Sequence, residues 1–449
     1  MNRINIKLTI LGFSLLLWGC EGYLDEKPNQ NLVVVNTLAD VRSLLDNSSV
    51  FNEQPVLGVL AADNYYLADD GVADLSVYQI GSYFWMDDPF QGDYVGDWIS
   101  PYEQVFYANV ALDALADLGE NEGEESAKLR GEALFHRAYA YYQLLQYFAP
   151  PYQMAGGNDQ LLGIVLKDSP DVNEVAFRSN LEECYRKVLD DLNEAVTLLP
   201  DFQLPKTRPS KVSALGMLSR LHLTIFDYQA AAATAREALE LYPDRLDFRE
   251  ADENARFPFE RMGKEVMYYS ALLTIAFNYS SQVYVDTVLA ASYQENDLRL
   301  PVYFDSVGPN RLSYTGRLSG TTGMFGGLSV GELELNLAEG LARTGDEAGS
   351  IAVLEEFFSR RIAGDEIPAV DFEGKELIQF ILDERRRELI GRGLRWTDLR
   401  RINQEADYKV TLEKSLNGQS YILEPNSLKY TYPIPDDEII LSGIRQNER

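Results

Sequence analysis

The chain has 449 residues, of which 46% are hydrophobic and 11% aromatic, and this composition excludes an intrinsically disordered protein. It carries 70 acidic against 40 basic residues, for a formal net charge of −30. Nucleic acid is therefore a poor partner, because phosphate backbones require clustered Lys and Arg side chains. The same negative charge argues against adsorption to anionic lipid.

The first 19 residues are predicted to be an export signal. Arg3 and Lys7 precede an apolar run that is shorter than the roughly 20 residues a membrane-spanning helix needs. The motif Leu17-Trp18-Gly19-Cys20 resembles a lipobox, which predicts that Cys20 is acylated; plain secretion with an ordinary cysteine is the alternative. Residues 20–449 are predicted to form a single domain, which begins with a polar tether, or a loop before a helix, at about residues 20–31.

A helical period recurs along the chain, whereas strand-like alternation is sparse and short. The clearest helical segments are 101–118, 126–148, 180–199, 211–241, 330–363 and 375–402. Irregular, aromatic-rich segments lie between them. The sequence therefore predicts a mostly α fold in which a helical scaffold carries long loops, and such loops are where binding sites usually lie.

An internal repeat supports this scaffold. Its two copies share the spacing of an aromatic residue, a small residue and a proline: Tyr185, Ala195, Pro200 and Tyr228, Ala238, Pro243. In tetratricopeptide repeats these positions pack the helix pair and end its second helix. A third copy is predicted around Gly345-Asp346. The pattern indicates tetratricopeptide-like helix pairs that are separated by insertions.

Two loop-rich stretches, 63–107 and 277–325, contain the candidate ligand-binding residues. Aromatic faces suit sugar rings, while carboxylates, amides and guanidinium groups can hold hydroxyls, and the same surface would suit a peptide. The residues predicted to bind ligand are Asp63, Asn64, Tyr78, Tyr83, Trp85, Tyr293, Tyr314 and Arg317. Trp85 is the strongest candidate, because a loop between Gly81 and Pro89 can present a large ring to solvent. Burial in the core is the alternative for each ring.

The arginine-rich segment 383–401 is predicted to be a helix with a structural role. Asp383 and Glu384 each have helix-pair spacing to Arg387, which favours ion pairs along the helix over an anion-binding site. Trp396 is predicted to anchor the core.

The sequence does not favour an enzyme. His136 and His222 lack neighbours at zinc-ligand spacing, and Cys184 lies within a helical segment. A nucleophile elbow, a phosphate loop and an HExxH motif are all absent from the sequence, and no cofactor or metal is predicted. A glycosidase, which needs only two carboxylates, and a purely protein-binding repeat scaffold remain as alternatives.

Several further motifs follow one another along the chain. They are Cys20 with Tyr23-Leu24-Asp25 and Pro28, Arg130-Gly131-Glu132-Ala133 with Arg137-Ala138-Tyr139 and Pro150-Pro151, Glu384-Arg385-Arg386-Arg387-Glu388-Leu389 with Gly393-Leu394-Arg395-Trp396-Thr397-Asp398-Leu399-Arg400, and Tyr432-Pro433-Ile434-Pro435 with Glu438 and Gln446-Asn447. In this order they resemble the SusD/RagB family of outer-membrane nutrient-binding lipoproteins. Two positions depart from its pattern: Ser329 stands where an arginine is common, and Gly340 replaces a usual alanine.

The resemblance implies a helical body with four repeat-like helix pairs and a variable ligand-binding region. It also implies a SusC-like, TonB-dependent barrel as partner, over which the lipoprotein closes like a lid. The protein is thus expected to be lipid-anchored at the cell surface, on the outer membrane, and to capture a glycan. A peptide, as in RagB-like uptake, is the alternative ligand.

Overall fold

Helices dominate the computed structural model, which describes residues 35–119, 123–364 and 369–449. The predicted signal peptide at residues 1–19, Cys20 and the predicted tether at residues 20–31 lie outside the described residues. Residues Thr37–Arg449 form one compact unit. Across the described ranges, each helix is too short or too polar to cross a bilayer.

The helices confirm the predicted mostly α fold, and the segments 211–241 and 330–363 each contain two of them. In chain order they are α1 (Leu38–Leu45), α2 (Ser48–Phe51), α3 (Leu57–Ala61), α4 (Val77–Tyr83), α5 (Gly96–Leu118), α6 (Gly123–Phe148), α7 (Leu181–Leu198), α8 (Lys211–Thr224), α9 (Tyr228–Leu241), α10 (Thr287–Ala291), α11 (Arg299–Tyr303), α12 (Val330–Arg343), α13 (Glu347–Ser359), α14 (Gly374–Glu388), α15 (Leu394–Ile402) and α16 (Asp436–Ser442).

The predicted helix pairs are present, and two of them begin their second helix at an aspartate. The Asp227 side chain accepts a hydrogen bond from Ala230 N at 3.0 Å to start α9, and Asp346 accepts one from Gly349 N at 3.0 Å to start α13. Helix α8 packs against α9, α12 packs against α13, and α9 packs against α12. The third copy predicted near Asp346 is therefore confirmed as a helix pair.

Of the two positions that depart from the family pattern, Gly340 lies on α12 and Ser329 is the residue that caps this helix. A Cβ on Gly340 would lie 2.7 Å from Tyr228 O and 2.9 Å from Ala232 Cβ, so the glycine permits the close approach of α12 to α9. The Ser329 side chain caps α12 and accepts a hydrogen bond from Arg392 at 2.6 Å. Ser329 is therefore in contact with an arginine from a distant segment of the chain.

The arginine-rich segment 383–401 is divided between two helices, so the prediction of a single helix there is wrong. Gly391 and Gly393 separate α14 from α15 with φ values of 73° and 72°, in the left-handed region that favours glycine. The Tyr314 ring lies 2.3 Å from the position that a Cβ on Gly391 would take. A larger residue at this turn would displace that ring.

The structural role predicted for this segment is confirmed by its contacts. Glu384 and Arg387 form an ion pair at 2.6 Å, whereas Asp383 accepts a hydrogen bond from Gln379. Trp396 is fully buried, with its ring stacked 4.7 Å from that of Tyr430.

A buried ion cluster, which consists of Glu265, Arg299, Arg361, Glu384 and Glu388, holds α14 against α11 and the end of α13. Arg361 Nη2 lies 2.9 Å from a carboxylate oxygen of both Glu265 and Glu388. Arg299 pairs with Glu388 at 3.1 Å and also with Glu384. Burial raises the pKa of Glu388, but the charges of Arg361 and Arg299 outweigh burial and leave that pKa below its usual value.

The strands are short and occur in pairs within the described residues. The pairs are β1 (Glu53–Gln54) with β6 (Ala271–Leu272), β2 (Tyr65–Leu67) with β7 (Val283–Val285), β3 (Leu162–Val165) with β4 (Arg178–Asn180), β5 (Val266–Tyr268) with β10 (Leu328–Ser329), β8 (Phe304–Gly308) with β9 (Arg311–Tyr314), and β11 (Leu412–Leu416) with β12 (Gln419–Leu423). The β1–β6 and β2–β7 pairs join the N-terminal part of the chain to its middle.

Candidate functional site

The two aromatic-rich stretches of the sequence meet in the structure. Strand β2 pairs with β7 in antiparallel register, which places Tyr66 opposite Tyr284. The Gln79 side chain accepts a hydrogen bond from Phe277 N at 3.1 Å, across 198 residues of sequence. The two stretches, which lie far apart in the sequence, therefore form one region.

We name five side chains of this region the tyrosine–arginine surface: Tyr66, Tyr279, Tyr284, Arg311 and Arg317. Among them, Tyr284 is only 6% exposed. The rings of Tyr66 and Tyr284 lie 5.3 Å apart, and the Arg311 guanidinium lies 5.0 Å from the centre of the Tyr284 ring. The Tyr279 side chain is 48% exposed, and its ring centre lies 5.5 Å from the Arg317 guanidinium. The Tyr284 ring is thus paired with the Arg311 guanidinium, and the Tyr279 ring with that of Arg317.

An open cavity of about 390 Å³ adjoins the tyrosine–arginine surface at Arg317. This volume is at the lower end of the range of about 300–1,000 Å³ that small-molecule sites occupy. The wall of the cavity mixes charged, hydroxyl and apolar side chains, among them Glu253, Arg256, Phe257, Asp305, Thr315, Arg317 and Thr321. It is suited to a polar ligand that has some apolar surface.

Three buried polar atoms of this region have no hydrogen-bond partner within the described part of the chain. They are Tyr65 Oη, Asn278 Oδ1 and Arg317 Nε. Arg317 also donates from Nη2 to Asn278 O at 2.8 Å, so two of the three atoms belong to neighbouring residues. Because buried polar groups are normally hydrogen-bonded, these atoms mark a place where a ligand or water can supply the missing partner.

Two of the predicted ligand-binding residues, Tyr83 and Trp85, lie inside the protein, and each is only 2% exposed. The Trp85 indole N–H donates to Ala61 O at 3.0 Å. The Lys414 ammonium lies 3.8 Å from the centre of the Tyr83 ring and 4.7 Å from that of Trp85. Both rings are therefore covered by packing and by a cation.

The expectation that the loop between Gly81 and Pro89 presents Trp85 to solvent is wrong. The Pro89 backbone approaches Gly81 so closely that a Cβ on the glycine would lie 2.3 Å from Pro89 O. Trp85 itself has a φ of 53°, which few large residues adopt. The loop thus closes on itself and turns the indole inward.

Asp63 and Asn64 are engaged by arginines of the late helices. Asp63 accepts hydrogen bonds from Arg395 at 2.8 and 3.0 Å and forms an ion pair with Arg386 at 3.3 Å. Burial raises the pKa of Asp63, but the charges of Arg395 and Arg386 outweigh burial and hold that pKa well below its usual value. The Asn64 side chain accepts from Arg386 at 3.3 Å. These contacts give both residues a structural role in linking β2 to α14 and α15.

The remaining predicted residues differ in their surroundings. Tyr293 and Tyr314 are each 7% exposed, and the Tyr293 hydroxyl donates to Arg387 O at 2.8 Å. Tyr78 is half-buried, and burial raises its pKa well above the usual value. Arg317 lies on both the tyrosine–arginine surface and the cavity wall. Ligand contact by any of them stays a prediction.

The sequence analysis did not predict ligand binding by four members of the tyrosine–arginine surface, although they lie in the predicted stretches: Tyr66, Tyr279, Tyr284 and Arg311. For Tyr66 a signal was available, because neighbouring residues of a strand point to opposite faces. Tyr65 is 5% exposed, whereas Tyr66 is half-buried. The pairing partner of β2 lies far away in the sequence and could not be read from it.

A larger open cavity, of about 890 Å³, lies beyond the C-terminal end of α6 and was not predicted. Amide and arginine side chains line much of it: Gln153, Gln160, Arg178, Gln404, Asn426, Arg445, Gln446 and Asn447. Arg178 donates to Asn447 Oδ1 at 2.7 Å, and Asn447 donates to Phe148 O at 2.8 Å. The C-terminal motif Gln446-Asn447 therefore helps to build the wall of this cavity.

Cys184 and His136, which the sequence analysis considered as a nucleophile and a metal ligand, are both buried. Burial raises the pKa of Cys184 to about 12 and lowers that of His136 to about 3. Across residues 35–119, 123–364 and 369–449, no cluster of His, Cys, Asp and Glu has the arrangement of a metal site.

Two family models match most of the chain. One, described as starch-binding associating with outer membrane, covers residues 22–223, and the other, described as the SusD family, covers residues 330–448. The chain belongs to the SusD/RagB family. Its long helical scaffold and its short strand pairs are thus those of a SusD-like protein.

Individual SusD-like proteins are similar at low sequence identity. SusD-like protein P2 of Formosa agariphila is 25% identical over 268 residues, which are 56% of this chain and 50% of P2, so this chain spans about half the length of that relative. A SusD superfamily structure from Bacteroides vulgatus has a TM-score of 0.75 at 20% identity and covers 92% of this chain and 99% of that one. A laminarin-binding SusD-like protein has a TM-score of 0.65 at 18% identity, with 91% and 98% covered.

Proposed function

We propose that this SusD/RagB protein is a cell-surface lipoprotein that captures a glycan and delivers it to a SusC-like, TonB-dependent transporter of the outer membrane. The observation that carries the proposal is the tyrosine–arginine surface, where Tyr279 is exposed beside Arg317 and a cavity opens next to them. Membership of the family and the laminarin-binding neighbour support a glycan as the ligand.

The chemistry of the surface suits sugars. A pyranose ring has a face of C–H groups that packs against an aromatic ring, and the Tyr279 ring offers such a platform. The hydroxyls around the sugar need donors and acceptors, which Arg317 and the neighbouring threonines and carboxylates of the cavity provide. The helical scaffold and the β2–β7 pair hold these groups in place, so little ordering is required when ligand binds.

Replacing Tyr279 by alanine should weaken binding of the preferred polysaccharide without unfolding the protein. Loss of a central aromatic contact costs about 1–3 kcal/mol, or roughly a 5- to 150-fold loss of affinity. Because the ring is 48% exposed, the free energy of unfolding should change by about 0.5 kcal/mol or less. Affinity electrophoresis against a panel of soluble polysaccharides, followed by calorimetry with the best binder, measures the effect.

Phe202→Ala is the matched control, since Phe202 is 39% exposed and packs beside Tyr242 outside the tyrosine–arginine surface. Its affinity should equal that of the wild type. If Tyr279→Ala keeps full affinity, the ligand binds elsewhere, and the 890 Å³ cavity becomes the next place to test.

Cys20→Ala tests the proposed lipid anchor. Without the thiol no acyl chain can be attached, so the variant should move from the detergent phase to the aqueous phase and leave the outer-membrane fraction. Phase partitioning of the full-length precursor expressed in a bacterium of the same cell-envelope type measures this, with Cys184→Ala as the control that retains the anchor. A variant that still partitions into detergent would refute the lipoprotein assignment.

A further inference from the structure

We infer that the captured glycan is acidic, and that Arg311 and Arg317 of the tyrosine–arginine surface bind its carboxylate or sulfate groups. The inference rests on the proposed function and narrows the class of ligand. The observation behind it is the environment of the arginines around the site. Among the described residues, most buried arginines are engaged by carboxylates, as Arg361 is by Glu265 and Glu388.

Four arginines around the site have a different environment. Within the described residues, no ion pair involves Arg256, Arg261, Arg311 or Arg317. Each guanidinium instead lies over an aromatic ring, at 5.2 Å from Phe257, 5.0 Å from Tyr269, 5.0 Å from Tyr284 and 5.5 Å from Tyr279, respectively. In a chain with 70 acidic residues, four such arginines in one region leave positive charge available to a ligand.

These arginines belong to connected segments. Arg256 and Arg317 both line the 390 Å³ cavity. Arg261 lies against the loop that follows Arg317, since a Cβ on Gly320 would lie 2.4 Å from Arg261 N. Arg311 is exposed on β9, six residues before Arg317 in the sequence. The guanidinium groups thus border the cavity and the tyrosines beside it.

Arg317 has N–H groups that donate to no described residue. Its Nη2 donates to Asn278 O at 2.8 Å, while its buried Nε has no acceptor in the described part of the chain. A guanidinium carries five N–H donors in a planar fork that matches the two oxygens of a carboxylate, and a sulfate ester presents a similar edge. A neutral sugar hydroxyl can accept one such bond but cannot match the charge.

Acids of the region and of the whole chain oppose an anionic ligand, and their effect has to be weighed against the arginines. Glu253 and Asp305 also line the cavity, but neither forms an ion pair with its arginines. The net charge of −30 repels an anion at long range, yet the Debye length is about 8 Å at physiological salt, so distant acids are screened. The four guanidinium groups of the region therefore outnumber the two carboxylates of the cavity wall.

The experiment compares matched pairs of polysaccharides on the intact protein. Polygalacturonate is tested against its fully methyl-esterified form, and chondroitin sulfate against chemically desulfated chondroitin, each at low and at high salt. We expect an acidic member to bind, its uncharged or less charged counterpart to bind at least roughly ten-fold more weakly, and the acidic binding to weaken with salt. Which pair responds tells whether carboxylates or sulfate esters are recognised.

Arg317→Gln and Arg311→Gln should each reduce affinity for the acidic glycan by roughly 10- to 150-fold, as expected for loss of charged hydrogen bonds. Arg317→Lys, which keeps the charge, should retain part of the binding. Arg311 is exposed on a hairpin, so its variant reports on binding even if Arg317→Gln lowers the melting temperature. Arg236→Gln, at an exposed position on α9, is the control and should bind like the wild type.

The outcomes separate this inference from the proposed function. If neutral and acidic glycans bind equally, and the arginine variants bind normally while Tyr279→Ala loses affinity, the acidic ligand is refuted and glycan capture stands. If no polysaccharide of the panel binds but poly-glutamate does, both are overturned in favour of an acidic peptide.

Discussion

Arg361→Ala is expected to lower the free energy of unfolding by about 3–5 kcal/mol, the cost of leaving buried charges without their partner. The Arg361 side chain is fully buried, and its guanidinium lies between Glu265 and Glu388. It also lies 3.9 Å from the centre of the Phe248 ring. The variant removes the only cation that pairs with Glu265 within the described residues, so this carboxylate is left buried and unpaired.

The pKa values of these carboxylates indicate how the variant will respond to pH. Burial already raises the pKa of Glu265 in spite of Arg361, and removing the arginine should raise it further. The folded variant then binds a proton more readily than the unfolded chain, so its stability should decrease as pH rises through the interval between the two pKa values. The loss relative to wild type should therefore be smaller in mild acid than at neutral pH.

Chemical denaturation at two pH values, with circular dichroism as the probe, measures both effects. Arg130→Ala is the control, because Arg130 pairs with Glu194 on the surface with both side chains more than 40% exposed, and such pairs contribute about 0.2–1 kcal/mol. An Arg361→Ala loss no greater than that of the control would show that the buried ion cluster contributes little to stability.

Trp85→Ala is expected to destabilise the fold by about 3–5 kcal/mol, the cost of truncating a large buried aromatic side chain. The indole is 2% exposed, donates to Ala61 O at 3.0 Å and covers the Lys414 ammonium. Burial lowers the pKa of Lys414 well below its usual value, because a buried ammonium is poorly solvated. The contact with the Trp85 ring is one of the few interactions that stabilise its charge. Removal of the Trp85 indole leaves a cavity between α3, α4 and the β11–β12 hairpin.

Affinity for the preferred polysaccharide, measured by calorimetry below the melting temperature, should be unchanged in Trp85→Ala. Tyr94→Ala is the matched control from the same aromatic-rich stretch, since Tyr94 is 73% exposed and its variant should keep the wild-type stability within about 0.5 kcal/mol. A Trp85→Ala protein with normal melting behaviour and greatly reduced affinity would restore Trp85 as a ligand platform and contradict the packing role assigned to it.

The sequence by itself was sufficient to predict the helical scaffold. Helical periodicity and the spacing of Tyr228, Ala238 and Pro243 are local signals, because a helix hydrogen-bonds within itself and its core face repeats every turn. The order of motifs from Cys20 to Asn447 was likewise sufficient to recognise the family. Each helix and each motif is read from residues that lie close together in the chain, and the order of the motifs is visible in the sequence without the fold.

Only the tertiary structure decided which aromatic rings are available to a ligand. The orientation of Trp85 depends on Ala61 and Lys414, the latter on a hairpin more than three hundred residues away, and the exposure of Tyr66 depends on its pairing with Tyr284. Composition marks a ring as suited to sugar binding, but burial is a property of the partners that cover it. Those partners come from distant parts of the sequence, so no local pattern could separate the buried rings from the exposed ones.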